Sequence, residues 1–384
     1  MHLVLFLQMA LIQATSATDL LTSKENLVIR TPEAWQQKRS DLLNLVTDRF
    51  YGSMPPKTDP QAIEIKHVSS RSILNGTAEE TLSIMILRRG DRQTTVRFGV
   101  VRPLLEERVP IIIKNDRWIF DLSAMPPGRK YDQYANEQRD DEFLKIRTAA
   151  LSRGYAICKF VREDVAVDAS NSRETGVLDL YPEYDWGAVT AWAWFYQPLI
   201  DYLQSTGYFD DQRIIATGHS RGGKTALAAA IFDDRIAIAA PSASGSGGTG
   251  SWFHFTPGGR EQTPTVIQTN HGFWFGKGFE AYLPDPGFDG HTLHALVAPH
   301  GLINTQGSDD PLANPRGTRK MFEESSLVFD LLDARLPPST HWRAGGHGHL
   351  LEDWIAVMDY ADAYFAQTSI PSQFNNWPAA SKDD

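Results

Sequence analysis

The segment Gly218–Thr225 constrains this chain more than any other, because it fits two catalytic motifs that require the same local structure. It reads GHSRGGKT. As G-x-S-x-G it predicts a nucleophile elbow, in which Ser220 occupies a sharp turn between a strand and a helix. As G-x-x-x-x-G-K-T it predicts a phosphate-binding loop, in which backbone amides and Lys224 hold a nucleotide. The largely apolar run 213–217 and the Ala-rich run 225–232 favour a strand and a helix, so the flanking sequence fits both motifs.

Strand-like and helix-like stretches alternate over most of the chain. Thr31 and Pro32 are suited to begin a helix, which is predicted over 33–49. Further helices are predicted at 187–205, 319–332 and 352–365, and strands at 81–88, 94–101, 109–113, 155–161, 236–240 and 295–304. This alternation predicts an α/β fold with a mainly parallel sheet covered on both faces. No long linker or repeat divides the chain, so a single domain over residues 18–384 is expected.

Composition excludes several classes of function. The chain has 384 residues, a formal net charge of −10 and one cysteine. An acidic chain is a poor nucleic-acid binder, and a single cysteine excludes a disulfide within the chain. Residues 1–17 combine an apolar stretch with small residues that end at Ala17, which predicts a signal peptide and export to the periplasm or outside the cell. No other segment is long and apolar enough to cross a membrane.

The rest of the chain favours the esterase motif over the nucleotide-binding motif. An acyl-transfer site needs a nucleophile, a base and an orienting carboxylate, which follow the order Ser, Asp, His in α/β-hydrolases. Asp309 and Asp310 follow the apolar runs 295–297 and 302–303, and the glycine-rich segment 345–349 then supplies histidine ahead of the last predicted helix. Nucleotide hydrolysis would need a metal-binding Asp at a strand end, but the candidate near residue 330 lies in a predicted helix. We therefore expect a serine esterase that uses no cofactor and no metal.

Two cations and one tryptophan near the nucleophile are further candidates. Arg221 follows the nucleophile at the position whose backbone amide usually donates to the oxyanion. Lys224 lies one helical turn beyond Ser220 and is expected to face the same cleft. Two cations beside a nucleophile suit a polar or anionic substrate better than a lipid. Trp186 is a candidate for a sugar-binding surface.

Several separated motifs together resemble those of the glucuronoyl esterases, carbohydrate esterase family 15, and its bacterial branch above all. These motifs are Trp35 with Tyr51–Pro55, Trp186–Ala188 with Ala191–Trp194, Gly218–Leu227, Asp233–Ala237, Ser244–Gly248, Phe288–His291, Gly345–His347 and Glu352–Trp354. The resemblance implies an α/β-hydrolase fold, a three-layer αβα sandwich with a mainly parallel central sheet. It implies hydrolysis of the ester that joins (4-O-methyl)glucuronic acid of glucuronoxylan to lignin alcohols.

The resemblance also assigns roles to residues. It implies Ser220 as nucleophile, His347 as base, Arg221 as oxyanion donor and Lys224 as a hydrogen-bonding partner of sugar hydroxyls. Many members carry a catalytic Glu just before the Ser-Gly-x-Gly-Gly motif, where this chain has Ala243. Some bacterial relatives instead carry an Asp in a later loop. Asp310 matches that position, and Asp309 is the alternative.

The sequence thus predicts an exported serine esterase that acts as a monomer on a glucuronoxylan or lignin-carbohydrate ester. No nucleic-acid or membrane partner is expected. Three alternatives remain open at this point. The chain could be a carboxylesterase for other sugar esters such as acetyl xylan, a carbohydrate-binding relative without catalytic activity, or a nucleotide-hydrolysing protein that uses the phosphate-loop motif. The role of His349 beside His347 is also open.

Overall fold

A computed structural model describes residues 20–117, 119, 137–256, 258–260 and 262–377. The predicted signal peptide at 1–17 lies outside these residues. Among the residues described, none of the helices combines the length and apolar character required to cross a lipid bilayer.

The described residues form one nine-stranded sheet with the strand order β1-β2-β3-β5-β4-β6-β7-β8-β9. Strands β1 to β3 form an antiparallel meander that joins β5, and the strands from β5 to β9 run parallel. The strands are β1 Ile63–Ile73, β2 Ala78–Arg89, β3 Arg92–Pro103, β4 Val109–Asp116, β5 Ala156–Val161, β6 Phe209–His219, β7 Ile236–Ser242, β8 Gly301–Gly307 and β9 Ser339–Arg343.

Helices cover both faces of the sheet. They are α1 Pro32–Val46, α2 Glu137–Ser152, α3 Arg162–Val165, α4 Gly176–Leu180, α5 Ala188–Trp194, α6 Tyr196–Ser205, α7 Arg221–Phe232, α8 Pro264–His271, α9 Gly290–Val297, α10 Pro315–Leu331 and α11 Leu351–Ala366. The larger apolar core packs α1, α5, α6, α7 and α9 against one face, and a second core packs α2 and α11 against the other. The prediction of an α/β-hydrolase sandwich with a mainly parallel sheet is confirmed.

The central strands carry apolar residues on both faces because both faces are covered. In β4 the run Val109–Ile113 is buried throughout, and in β5 every residue is buried. Continuous burial is typical of parallel strands between two helical layers. The carboxyl ends of these strands meet at one edge of the sheet, where ligands bind in α/β folds.

Two sequence predictions need correction, and the short strand β9 was missed. The strand predicted at 295–304 is a helix up to Val297 followed by β8, because the apolar residues of Gly290–Val297 pack as a helix in the larger core. The helix predicted at 187–205 is two helices, which meet at Phe195. Strand β9 was not predicted, because its sequence STHWR has no apolar run.

Candidate active site

Ser220 occupies the turn between β6 and α7. Its backbone has φ 58° and ψ −121°, a left-handed conformation that is rare for a residue with a side chain. Its N–H donates to the carbonyl of Ser242 on the neighbouring strand over 2.8 Å. Backbone strain of this kind is typical of functional positions, and here it matches the nucleophile elbow predicted by G-x-S-x-G.

Close backbone contacts explain the glycines of the motif. A Cβ on Gly218 would lie 2.2 Å from the carbonyl oxygen of Gly222, closer than side chains approach. The buried Asn115 amide then ties the elbow to β4, since it donates to that same Gly222 oxygen over 2.9 Å. The elbow is thus held by the end of the sheet, and a larger residue at position 218 would displace it.

His347 lies in the loop between β9 and α11 and contacts a carboxylate on another loop. Its Nδ1 donates to Oδ2 of Asp310 over 2.7 Å. The Asp310 side chain is fully buried, whereas that of His347 is 22% exposed. The second oxygen of Asp310 accepts the N–H of Leu312 over 2.9 Å, which fixes the carboxylate. A base oriented by a buried carboxylate is the arrangement that nucleophilic catalysis requires.

The neighbouring Asp309 makes different contacts. It is exposed, and its Oδ2 accepts the N–H of Gly345 over 3.2 Å. The structure therefore brings Asp310, and not Asp309, to the ring of His347.

Arg221 is held beside Ser220 by a buried acid that the sequence reasoning missed. Its guanidinium pairs with Asp168 and lies over the ring of Trp274, 4.8 Å from the ring centroid. Asp168 also accepts from the Trp274 indole over 2.9 Å. Burial alone would raise the pKa of Asp168, but Arg221 and Arg162 outweigh it and hold that pKa below its ordinary value of 3.8. The carboxylate is therefore ionised at neutral pH and anchors the arginine.

Lys224 does not line the cavity around Ser220. It is buried, and its ammonium donates to the carbonyls of Ser244 and, over 2.6 Å, Ser246. Burial, with a smaller effect of Arg221, lowers the pKa of Lys224 from 10.5 to about 7. The lysine thus braces the loop 244–250, and its contact with a sugar stays a prediction. Because two of its three donors bind these carbonyls, this geometry does not favour the phosphate-loop interpretation.

The prediction for Trp186 is wrong. Its side chain has no exposed surface and packs edge-on against Tyr181 and Trp194 in the larger core. The indole therefore cannot contact a sugar, and its part in the family-like motif is a packing role. The loop 244–250 is buried too.

A cavity of about 640 Å³ opens beside the nucleophile. Ser220, Arg221 and His347 line it together, at the carboxyl edge of the parallel strands. Further lining residues lie on β4, β5, α2 and α11, at the ends of β5 and β6, and in the loop before α11. They include Lys114, Arg162, His219, His349 and Trp354.

Two further histidines flank His347. The His219 ring lies 4.5 Å from that of His347, and the His349 ring stacks on His219 at 6.0 Å. Burial lowers the pKa of both His219 and His349 well below 6.5, so both rings are neutral. The hydrogen bond to the Asp310 carboxylate comes from His347. The two neutral rings form an uncharged wall beside that base.

No group of three or more His, Cys, Asp or Glu side chains is arranged to hold a metal ion in the part of the chain that the structure describes. Asp168, Trp274 and Arg162 were not found from the sequence. Asp168 lies 53 positions from its partner Arg221, and no local pattern connects the two. An Asp soon after a buried strand was the only signal, and it is a weak one.

Comparisons with known proteins identify similar esterases. The family model described as glucuronyl esterase, fungi, matches residues 143–333. A 4-O-methyl-glucuronoyl methylesterase of Schizophyllum commune is 27% identical over 358 residues, which span 89% of this chain and 79% of that protein.

Solved structures of such esterases have the same fold. A carbohydrate esterase family 15 glucuronoyl esterase from Caldicellulosiruptor kristjansonii is 25% identical with a TM-score of 0.75, over 96% of this chain and 95% of that one. A glucuronoyl esterase mutant from Sporotrichum thermophile, solved with methyl 4-O-methyl-β-D-glucopyranuronate, is 19% identical with a TM-score of 0.68, over 94% of this chain and 90% of that one.

Proposed function

Because the chain belongs to the glucuronoyl esterase family, carbohydrate esterase family 15, we propose that it hydrolyses esters of glucuronic acid by a serine mechanism. The observation that carries the proposal is the 2.7 Å hydrogen bond from His347 to Asp310 at a cavity that Ser220 also lines. A strained serine, an oriented imidazole and a buried carboxylate are the three parts of an acyl-transfer site.

In the first half of the reaction, Ser220 Oγ adds to the ester carbonyl while His347 takes its proton. Nδ1 of His347 is bound to Asp310, so Nε2 is the nitrogen that accepts. The negative charge that develops on the carbonyl oxygen is met by the Arg221 guanidinium and by the first amides of α7, which have no acceptor within the helix. The tetrahedral intermediate then collapses, and the alcohol leaves with the proton from His347.

In the second half, water releases the acid. His347 removes a proton from water as the water oxygen adds to the acyl-serine carbonyl. The C–O bond to Ser220 then breaks, the serine recovers its proton from the imidazolium, and glucuronate leaves. The ionised Asp310 stabilises the imidazolium in both halves.

Turnover of benzyl glucuronate tests this proposal. Ser220→Ala should lose at least about a thousandfold in kcat, as deletions of a triad nucleophile do. Ser326→Ala on the exposed face of α10 is the matched control and should keep full activity. Acetyl xylan as a second substrate separates the two esterase alternatives. Faster release of acetate than of benzyl alcohol would contradict a glucuronate-directed site, and equal rates in wild type and Ser220→Ala would indicate a carbohydrate-binding relative.

The cellular location and the natural substrate form a separate part of the proposal. We propose an exported monomer that acts on glucuronoxylan esterified with lignin alcohols; the support is the segment 1–17 and the family to which the chain belongs. Expression of the full chain followed by N-terminal sequencing should give Thr18 as the first residue of exported protein. Retention of the uncut chain in the cytoplasm would contradict export.

A further inference from the structure

One guanidinium in the cavity has no counter-ion in direct contact among the described residues. Arg162 follows β5, is 6% exposed and lines the cavity beside Ser220. Within the described residues it makes no hydrogen bond or ion pair, and it lies over the ring of Trp192 at 5.3 Å. Its Nε is buried without an acceptor. A buried charge without a partner is costly, so its presence needs a reason other than stability.

Lys114 supplies a second cation on the floor of the same cavity. Its ammonium pairs with Asp116 over 2.9 Å and lies 5.8 Å from the centroid of the Trp354 ring. Lys159, its neighbour across the two strands, contacts the same Asp116 oxygen over 3.0 Å. Two ammonium groups on one carboxylate oxygen leave that carboxylate with little capacity to neutralise anything else.

Cations outnumber acids among the described residues that line the cavity. The cations are Lys114, Arg117, Lys159, Arg162 and Arg221, and the carboxylates are Asp116 and Glu142. Glu142 accepts the N–H of Leu351 over 2.7 Å and so helps to begin α11. In a chain of net charge −10, the lining therefore carries an excess of cations, although Asp168 and Glu163 behind it pair with Arg221 and Arg117.

The ester group itself does not account for these cations. The carboxyl of an esterified glucuronic acid is uncharged, and the one oxyanion of the reaction is met beside Arg221. Another anionic group of the bound substrate would account for them.

The geometry of the base indicates where that group lies. His347 donates its proton to the leaving alcohol, so the alcohol part of the ester extends along the His347 side of the cavity. From His347 the neutral rings of His219 and His349 continue to Trp354, on which His349 stacks at 5.3 Å. This wall of rings ends beside Lys114. Arg162 lines the same cavity, and Lys114 and Arg162 both lower the pKa of the His219 ring, although burial is the larger cause.

We propose that Lys114 and Arg162 form an anion subsite for a carboxylate carried by the alcohol part of the ester. The inference rests on the proposed glucuronate esterase activity and adds a substrate class to it. The preferred esters join glucuronic acid to an alcohol that bears its own acidic group, with an aromatic portion lying along the wall of rings.

The test compares two esters that differ in charge but hardly in shape. These are the carboxybenzyl glucuronates, substituted at ring position 3 or 4, and the matching carbamoylbenzyl glucuronates. We expect kcat/KM of wild type to be about tenfold or more higher for the better carboxybenzyl ester, since a hydrogen bond to a charged group changes an equilibrium by about that factor. Lys114→Gln and Arg162→Gln should each reduce the ratio towards one. Lys66→Gln, at an exposed lysine of β1 away from the cavity, should keep it.

The melting temperature of Arg162→Gln distinguishes a ligand-binding role of Arg162 from a structural role. Because Arg162 makes no direct ion pair among the described residues and acts on Asp168 only at longer range, Arg162→Gln should change the melting temperature only slightly while it removes the charge preference. A large loss of stability together with an unchanged ratio would overturn the subsite.

A binding measurement separates failure of the subsite from failure of the proposed activity. Calorimetric titration of wild type with 4-(hydroxymethyl)benzoate and 4-(hydroxymethyl)benzamide needs no turnover. Tighter binding of the benzoate that is lost in Lys114→Gln supports the subsite, and equal affinities overturn it. If neither ester is hydrolysed, the proposed esterase activity is wrong whatever the titration shows. If the carbamoyl ester is hydrolysed as fast as the carboxy ester, only the subsite is wrong.

Discussion

Replacement of Asp310 by asparagine removes the charge behind His347 with little change in shape. The carboxylate is fully buried, accepts from His347 over 2.7 Å and is fixed by the amide of Leu312. The carboxamide of the variant could keep its one oxygen on that amide. It would then present its NH₂ group to the imidazole, where an acceptor is required.

Two effects determine how much kcat should fall in Asp310→Asn. A hydrogen bond to a charged group contributes about 1.5–3 kcal/mol, and each 1.36 kcal/mol of barrier changes a rate about tenfold. Loss of the charge should therefore slow kcat by about tenfold to a hundredfold. The carboxamide also favours the tautomer with the proton on Nε2, which cannot accept from Ser220; the same replacement lowers kcat about 10⁴-fold in a serine protease. We expect a loss of kcat between about 10² and about 10⁴.

The assay is steady-state hydrolysis of benzyl glucuronate, with thermal unfolding measured in parallel. Asp309→Asn is the matched control, because this exposed neighbour accepts only from Gly345 among the described residues and should change kcat less than about threefold. A larger loss in Asp309→Asn than in Asp310→Asn would refute the assignment of the acid. A fully folded Asp310→Asn that keeps more than about a tenth of wild-type kcat would refute the relay itself.

Three further perturbations test the scaffold of the site. Gly218→Ala should cost more than about 2 kcal/mol of unfolding free energy, because its Cβ would meet a backbone oxygen at 2.2 Å. The control Gly346→Ala has open space around the new Cβ and should change the unfolding free energy by less than about 0.5 kcal/mol. Equal denaturation midpoints of the two variants would contradict the close contact at Gly218. Asp168→Asn should cost about 3–5 kcal/mol at neutral pH by leaving Arg221 without the carboxylate that it pairs with. Because the pKa of Asp168 is lowered in the folded protein, its contribution to the free energy of unfolding is present above pH 3.8 and is lost as pH falls below that value. The loss of unfolding free energy in Asp168→Asn, measured with urea, should therefore shrink in acid. A loss that is independent of pH would argue against an ionised Asp168. Lys224 has a pKa of about 7 in the folded protein and 10.5 ordinarily, so the folded state binds fewer protons than the unfolded state between these pH values. Wild type should therefore gain stability relative to Lys224→Met as pH rises through that range. A difference in melting temperature that stays constant with pH would exclude this effect of burial.

The sequence allowed much of the fold and the core of the site to be predicted. The strands of the sheet from 81 to 240 were predicted because continuous apolar runs are a strong signal for buried strands. Ser220 was predicted because its glycines reflect a close backbone contact within a few residues. The order of serine, acid and histidine along the chain then indicated which loops meet, and the contact of His347 with Asp310 agrees with that order.

The features of the site that could not be predicted from the sequence depend on contacts between distant segments of the chain. Arg221 could be predicted beside the nucleophile, but its partner Asp168 is brought to it by the sheet edge and not by a spacing in the chain. Trp186 stood out because tryptophan is frequent at sugar-binding surfaces, yet burial in the core decides its role. Choosing between Asp309 and Asp310 needs the direction of two adjacent side chains, which composition does not encode.

The excess of cations in the cavity lining has a consequence for how polymeric and small substrates respond to ionic strength. A protein of net charge −10 repels a polysaccharide that carries free uronates, and this repulsion acts through solvent between the protein surface and the polysaccharide. At physiological ionic strength the screening length is about 8 Å, so added salt suppresses this outer repulsion while the sheltered attraction at Lys114 and Arg162 is weakened much less. Hydrolysis of long acidic chains should therefore accelerate with moderate salt, whereas that of a single short ester should hardly change.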